Sequence, residues 1–204
     1  MNDAASDIAT PKPLSKRAQA NREKIFLAAI TLIRERGYDA VTMSDIAKAA
    51  GVARASVFNH FPAKLAFLGE WFERFTYQVI EQAKAQTSNS CRARLGFLLD
   101  ALAAGAEANR EIIVHIASLA MGHGPLAATE SELDDALQIH FLELIEAGQA
   151  NGEIRADVNP GFLADLFVAL LTVTAHDWVN RGQETDFSKD LSDRFDALFS
   201  GVAK

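Results

Sequence analysis

The sequence predicts an all-α fold of about nine helices, with a three-helix helix-turn-helix head followed by a larger helical body. Three observations carry this prediction. Apolar residues recur at three- and four-residue steps through most of the chain, with no period-two alternation to suggest a strand. Glycine, proline and capping residues interrupt that pattern at intervals suited to helix ends. Charge is also divided along the chain. Residues 10–65 hold ten Lys/Arg against four Asp/Glu, a surplus of six, whereas residues 66–204 hold ten basic and twenty-one acidic residues. A basic head on an acidic body points to a polyanionic partner for the head alone.

Residues 1–16, with Pro11, Pro13 and Lys12, read as a flexible basic arm. From about Arg17 to Arg36, residues Ile25, Ala28, Ala29, Leu32 and Ile33 share one helical face, and Gly37 ends the helix as a C′ residue. Thr42 followed by Asp45 forms a capping-box pattern, with Asp where Glu is usual. A short helix then runs to Ala50 and breaks at Gly51. Val52 to Phe61 supports another, stopped at Pro62 because the residue before proline avoids the helical region. The domain division is residues 1–16 arm, 17–65 head and 66–204 body.

Longer helices follow near 64–86, 91–108, 110–121, 130–149, 160–181 and 187–200. Asn159 and Pro160 combine an N-cap with a proline at the first helical position. In the last helix Phe187, Leu191, Phe195, Leu198, Phe199 and Val202 form an apolar stripe.

Composition restricts the function classes. At 204 residues and 49% hydrophobic, the chain has the balance of an ordered globular protein. Its longest runs without a polar residue are six long, short of the roughly 20 that a membrane-spanning helix needs. The first twenty residues have no apolar stretch of the secretory type, and the single cysteine, Cys91, suits a reducing compartment, so the expected location is cytoplasmic. The body histidines His115, His123, His140 and His176 show no metal-ligand spacing, and there is neither a Gly-rich phosphate loop nor a G-x-S-x-G elbow. No catalytic residue, metal or cofactor is expected. The competing classes are a helical enzyme that assembles its site from distant residues, and an interaction module with an inactive head.

The densest information lies in Thr42–Lys64, where two short helices meet across a glycine. Ala47, Gly51 and Val57 stand at the positions a helix-turn-helix requires. The alanine is small where the second helix crosses, the glycine allows the turn, and the valine packs the pair with Ile46 and Val52. The second helix can then enter a major groove.

GYDAVTMSDIAKAAGVARASVFNHFPAKLAFL, within Arg22–Leu68, resembles the DNA-binding signature of TetR-type transcriptional regulators. It has the Gly-aromatic start, the Thr cap, the I-A-x-x-A-G-V core and the aromatic-x-H-F-P-x-K close. The stretch Ala147–Phe167 is similar to the entry of the penultimate helix in many of these proteins. The resemblance implies a homodimeric, cytoplasmic regulator, most simply a repressor, that binds double-stranded DNA at a palindromic operator and is released by a small-molecule effector. It places Arg54, Ser56 and Asn59 on the recognition face, and Thr42, His60 and Lys64 at phosphate-contact positions. Lys12, Lys16 and Arg17 could add a minor-groove or phosphate arm. Ala53, Phe58, Ala63 and Leu65 depart from the commonest pattern. Ala53 removes a hydroxyl that could cap the helix or touch the DNA backbone, Ala63 removes a Ser/Thr/Asn-like residue that could cap the next helix, and Phe58 in place of tyrosine removes a phosphate hydrogen bond while its ring can still pack.

The resemblance also implies a body that holds the effector and the dimer contact. Candidate pocket residues are Trp71, Phe75, Phe97, Leu98, Ala101, His115, Met121, Phe141 and His176; their mostly apolar character suits an apolar or aromatic effector. Candidate dimer residues are Leu163, Leu166, Phe167, Leu170, Leu171, Phe195, Leu198 and Phe199. Each of these side chains could instead serve the protomer's own core.

Overall fold

The computed structural model describes residues 15–88, 90–120, 126–181 and 186–203. Among them the secondary structure comprises nine α-helices: α1 (Lys16–Arg36), α2 (Met43–Ala50), α3 (Arg54–His60), α4 (Leu65–Lys84), α5 (Cys91–Ala108), α6 (Arg110–Ala120), α7 (Ala127–Ala150), α8 (Pro160–Arg181) and α9 (Phe187–Val202). The all-α expectation holds. Helix ends fall close to their sequence signals, with α7 beginning three residues before the anticipated start.

Local chemistry explains the boundaries in the head. Ser15 caps α1, its hydroxyl accepting from the Ala18 amide, so the helix starts at Lys16, the last residue assigned to the arm. Gly37 ends it at φ 81°, with its N–H donating to the Ile33 carbonyl. The Thr42–Asp45 capping box forms in full. Thr42 Oγ1 accepts from the Asp45 amide at 3.2 Å, while Asp45 Oδ2 accepts from the Thr42 amide at 3.0 Å and from its hydroxyl at 2.6 Å. Gly51 adopts the left-handed conformation (φ 62°, ψ 39°) that turns the chain from α2 into α3, a region a β-carbon disfavours. No side chain caps α3 at Ala53, and the N-cap position of α4 is Lys64 rather than Ala63, likewise without a side-chain cap.

Ile25, Ala29, Ile33, Ile46, Ala47 and Val57 fill the head core. That core continues into the body through Phe61 and Phe67, whose rings stack at 4.1 Å, and on through Leu68 and Trp71. The proposed division at residue 65 therefore falls at the start of α4, a helix whose buried face serves both parts.

In the body, α7 packs most extensively on α8, and α5 on α9. Asn159 caps α8 as anticipated, its Oδ1 accepting from the Phe162 amide at 3.1 Å. The chain's most apolar helix is α8, long and apolar enough by length and composition to cross a membrane (mean hydropathy 1.5 over 18 residues). Asp165, Thr172 and Thr174 divide its apolar residues into runs of six or fewer. One face of α8 packs on its neighbours through Leu163, Ala164, Phe167, Thr174 and Trp178; another leaves Phe162 56% and Val173 53% exposed.

Candidate nucleic-acid interface and body cavity

Side-chain direction in the head follows from the burial of Val57 and Phe61. Anchoring α3 through these two residues turns Arg54, Ala55, Phe58 and Asn59 outward, all exposed. Ser56 and His60, four residues apart, lie half-buried on its flank, and Thr42 is exposed at the start of α2. The predicted recognition face thus contains Arg54 and Asn59 fully, and Ser56 only at its edge. The exposed Phe58 joins them, its ring turned outward from the head core. Its signal was available: an apolar residue one position after the core-facing valine.

The surplus positive charge of the head is unevenly available. Arg36, Lys48 and Arg54 have neither an ion pair nor a hydrogen bond among the described residues, and present their charge outward. Lys64 is differently placed from a pure phosphate contact. Its ammonium donates to the Tyr38 carbonyl at 2.6 Å and the Val41 carbonyl at 3.0 Å, and lies 4.0 Å from the Tyr38 ring centroid. It therefore ties the loop between α1 and α2 to the start of α4, leaving one of an ammonium's three donors for another acceptor.

Arg22 faces inward. Its guanidinium meets Glu70 of α4 through Nη1–Oε1 at 2.6 Å and Nη2–Oε2 at 2.5 Å, and covers the Phe61 ring at 4.7 Å. Arg74 bridges Glu70 at 2.5 Å and Glu23 of α1 at 2.7 and 2.9 Å. This four-residue network fastens the first helix of the head to α4. Hydrogen bonding from Arg74 holds the Glu23 carboxyl below its ordinary range, against the smaller opposing effect of burial. A second joint pairs Arg34 with Asn109 at 2.6 Å and sets the Tyr38 ring 5.2 Å from His115.

Within the body, α4 to α9 surround a cavity of about 100 Å³. Phe72, Phe75 and Thr76 of α4 form one wall, with Leu102, Ala106, Ile113, Ile116, Leu137, Leu171 and Phe187 among the others. Asp134, Thr172 and His176 supply polar atoms. Of the predicted pocket residues, Phe75 and His176 line this space. Trp71 stands behind it, stacked on Phe75 at 5.2 Å. Leu98 and Phe141 are fully buried in the core instead, the latter 5.6 Å from Phe167. Phe97 borders a surface depression between α5 and α9, and His115 a groove beside Arg36 and Arg110. Ala101 packs against the core from a half-buried position, and Met121 falls outside the described residues. The remaining lining residues come from six helices, and sequence spacing carries no information on how those helices face one another.

The cavity's position beside α4 depends on close packing at Gly105. A β-carbon there would stand 2.2 Å from Phe75 Cε2, so glycine lets the Phe75 ring lie against α5. Among the described residues, no three His, Cys, Asp or Glu side chains are grouped to hold a metal ion. His140 is 2% exposed, and burial lowers its pKa despite Glu143 at 3.4 Å.

The predicted dimer residues divide by burial. Leu163, Phe167, Phe195 and Phe199 are 5% exposed or less and belong to the protomer's own core. Phe195 and Phe199 are covered where the apolar stripe of α9 packs on α5 and α8, and Leu163 and Phe167 where α8 packs on its neighbours. Leu166, Leu170, Leu171 and Leu198 are half-buried. The apolar surface of the two helices is instead centred on Phe162, Ala169 and Val173, which the sequence reading did not single out.

Comparison with known proteins agrees with this architecture. The profile described as bacterial regulatory proteins, tetR family, matches residues 25–70, which span most of the head and the start of α4. The HTH-type transcriptional regulator CymR of Pseudomonas putida is 36% identical over 72 residues, covering 35% of this chain and 36% of CymR. That match therefore spans only about a third of the relative. YvdT of Bacillus subtilis, an HTH-type transcriptional regulator, is 27% identical over 79% of this chain and 84% of its own. Over nearly the whole body as well as the head, the fold is similar to Thermus thermophilus FadR, a TetR-family transcriptional repressor crystallised with lauroyl-CoA. The TM-score is 0.72 at 25% identity, covering 88% of this chain and 94% of FadR. Head motif, the helical architecture of the described residues and the relatives agree: residues 25–70 match the tetR family of bacterial regulatory proteins, and the fold is similar to that of TetR-family transcriptional regulators.

Proposed function

We propose that this regulator is a homodimeric, cytoplasmic repressor that binds a palindromic operator and is released by a small apolar or aromatic effector. The observation that carries the reading is α3, held by Val57 and Phe61 so that Arg54, Phe58 and Asn59 face outward from the basic head. Two such helices about one duplex turn apart, roughly 34–36 Å, would enter successive major grooves. The two-fold contact is assigned to the outer face of α8, around Phe162, Ala169 and Val173, with Leu166 and Leu170 beside it. Apolar side chains more than half exposed on the most apolar helix favour burial against a second copy.

The effector reading rests on the cavity beside α4. Its size, about 100 Å³, is somewhat below that of the roughly 150 Å³ apolar cavity known to accept benzene. A compact ring is therefore the natural occupant, entering with a small displacement of Phe72 or Phe75. FadR was crystallised with lauroyl-CoA, a much longer molecule that here would need the helices to part. Displacement of α4 would reach α1 through Arg22, Glu70, Arg74 and Glu23. Taking DNA-competent protein from 99% to 1% requires the ligand to favour the released conformer by about 5.5 kcal/mol.

Footprinting on the DNA upstream of the protein's own coding sequence, across a salt series, tests the reading. A protected palindrome whose affinity falls steeply with salt is the expected result. Arg54→Ala should weaken binding and leave the far-ultraviolet dichroism unchanged. A folded dimer that protects no site and selects none from random DNA at low salt overturns it. Metal binding or turnover by such a protein would instead favour the enzyme class.

A further inference from the structure

The DNA-binding reading leaves open which bases α3 reads, and the exposed aromatic ring on its outer face bears on that question. Phe58 is 39% exposed although the head core is already closed by Val57 and Phe61, which are 0% and 1% exposed. Arg54 stands one helical turn earlier on the same face, its guanidinium carbon 5.4 Å from the Phe58 ring centroid. It has no ion pair or hydrogen bond among the described residues.

Each feature narrows the chemistry of the partner. A guanidinium resting on an aromatic ring loses rotamer freedom before it binds, while its N–H edge stays available for a two-pronged contact. In the major groove, guanine offers the matching acceptors O6 and N7. A phenyl ring has no hydroxyl for phosphate or base edges. The one apolar group displayed by base pairs in that groove is the thymine methyl. Residues four apart on a helix are separated by about 6 Å along its axis, and stacked bases by about 3.4 Å. The two contacts then fall one or two base steps apart.

We propose that Arg54 and Phe58 form a preassembled specificity pair, Arg54 reading a guanine and Phe58 the methyl of a thymine one or two steps away. This rests on the DNA-binding reading. It gives Phe58 a base-reading task in place of the phosphate contact that the absent hydroxyl would have made.

The test uses the full-length protein and a duplex containing the site found by footprinting or selection. Each thymine of the half-site is replaced in turn by deoxyuridine, which removes only the methyl. At one position the wild-type Kd should rise about fourfold, the ~0.8 kcal/mol of one buried methyl-sized group. Phe58→Tyr should retain that dT/dU ratio, while Phe58→Ala should bring it to one. Arg54→Lys should reduce guanine discrimination about tenfold while keeping the salt slope, because charge is kept and the fork lost. An unchanged wild-type Kd at every deoxyuridine, or an undiminished ratio in Phe58→Ala, overturns the pair. If no duplex is bound at all, DNA binding itself fails and the pair falls with it; specific binding with flat dT/dU ratios refutes the pair alone.

Discussion

The contact between Arg22 and Glu70 gives the most direct test of how head and body are joined. One hydrogen bond, from Arg22 Nη1 to Glu70 Oε1 at 2.6 Å, and an ion-pair approach of Nη2 to Oε2 at 2.5 Å connect α1 to α4, and the Glu70 side chain is 11% exposed. An exposed ion pair contributes roughly 0.2–1 kcal/mol, and a hydrogen bond to a charged group about 1.5–3 kcal/mol. Arg22 is 35% exposed, and Arg74 competes for Glu70 Oε1 at 2.5 Å, so both effects reduce the upper value. A coupling of about 1.5 kcal/mol follows, at the boundary between the two classes. Arg22→Ala alone would overstate it, because the guanidinium also covers Phe61 at 4.7 Å. A double-mutant cycle over Arg22→Ala and Glu70→Ala removes that packing contribution. Urea unfolding of the four proteins at one fixed protein concentration measures the coupling, since the stability of any oligomer would depend on concentration. A coupling under about 0.3 kcal/mol would refute the argument, showing solvent or Arg74 to replace the contact without loss. If the cycle stands, Glu70→Ala should also weaken communication between cavity and head.

Other outcomes test the cavity, the helix cap and the buried thiol. Gly105→Ala would set a methyl 2.2 Å from the Phe75 ring, driving the ring toward the cavity. Xenon binding monitored by 129Xe NMR should be detectable in the parent and lost in the variant, with stability changed by under about 2 kcal/mol because helix propensity offsets crowding. Retained xenon binding would show that the ring moves elsewhere. Hydrogen bonds from the Thr42 hydroxyl and amide hold Asp45 below its ordinary 3.8, so the cap's stabilisation is complete above that value. It is lost as pH falls through the lower folded-state pKa. An NMR titration of Asp45 showing no depression, or an unchanged acid-unfolding curve for Asp45→Asn, would contradict this. Burial pushes the Cys91 thiol up to about 11, with Sγ donating to the Leu144 carbonyl at 3.2 Å. Iodoacetamide at pH 8 should therefore modify the native protein far more slowly than the urea-unfolded chain; equal rates would contradict the assigned burial.

Much of the fold was legible because its determinants are local. A capping hydroxyl, a glycine at positive φ and an asparagine before proline act on atoms within four residues, so Thr42, Gly51 and Asn159 announced their helix ends. The helix-turn-helix was readable for the same reason: Ala47, Gly51 and Val57 lie on adjacent turns of a short unit. The outward face of α3 then followed from the inward direction of Val57. Apolar spacing alone, however, does not identify which neighbour covers a helical face. Phe141 and Leu98 had the composition of pocket residues but lie in the core, whereas Ile113, Leu137 and Leu171 meet around a cavity that no linear pattern marks. Phe195 and Phe199 formed a readable stripe, yet the packing of α9 on α5 and α8 encloses it, leaving α8 with the exposed apolar surface. Charge shows the same division. The sequence by itself determined that the head is basic, through the count of its side chains. Only the tertiary structure decided that Lys64 binds backbone carbonyls, that Arg22 faces Glu70 and that Arg54 stays open to a partner, because electrostatic pairing depends on distances between atoms far apart along the chain.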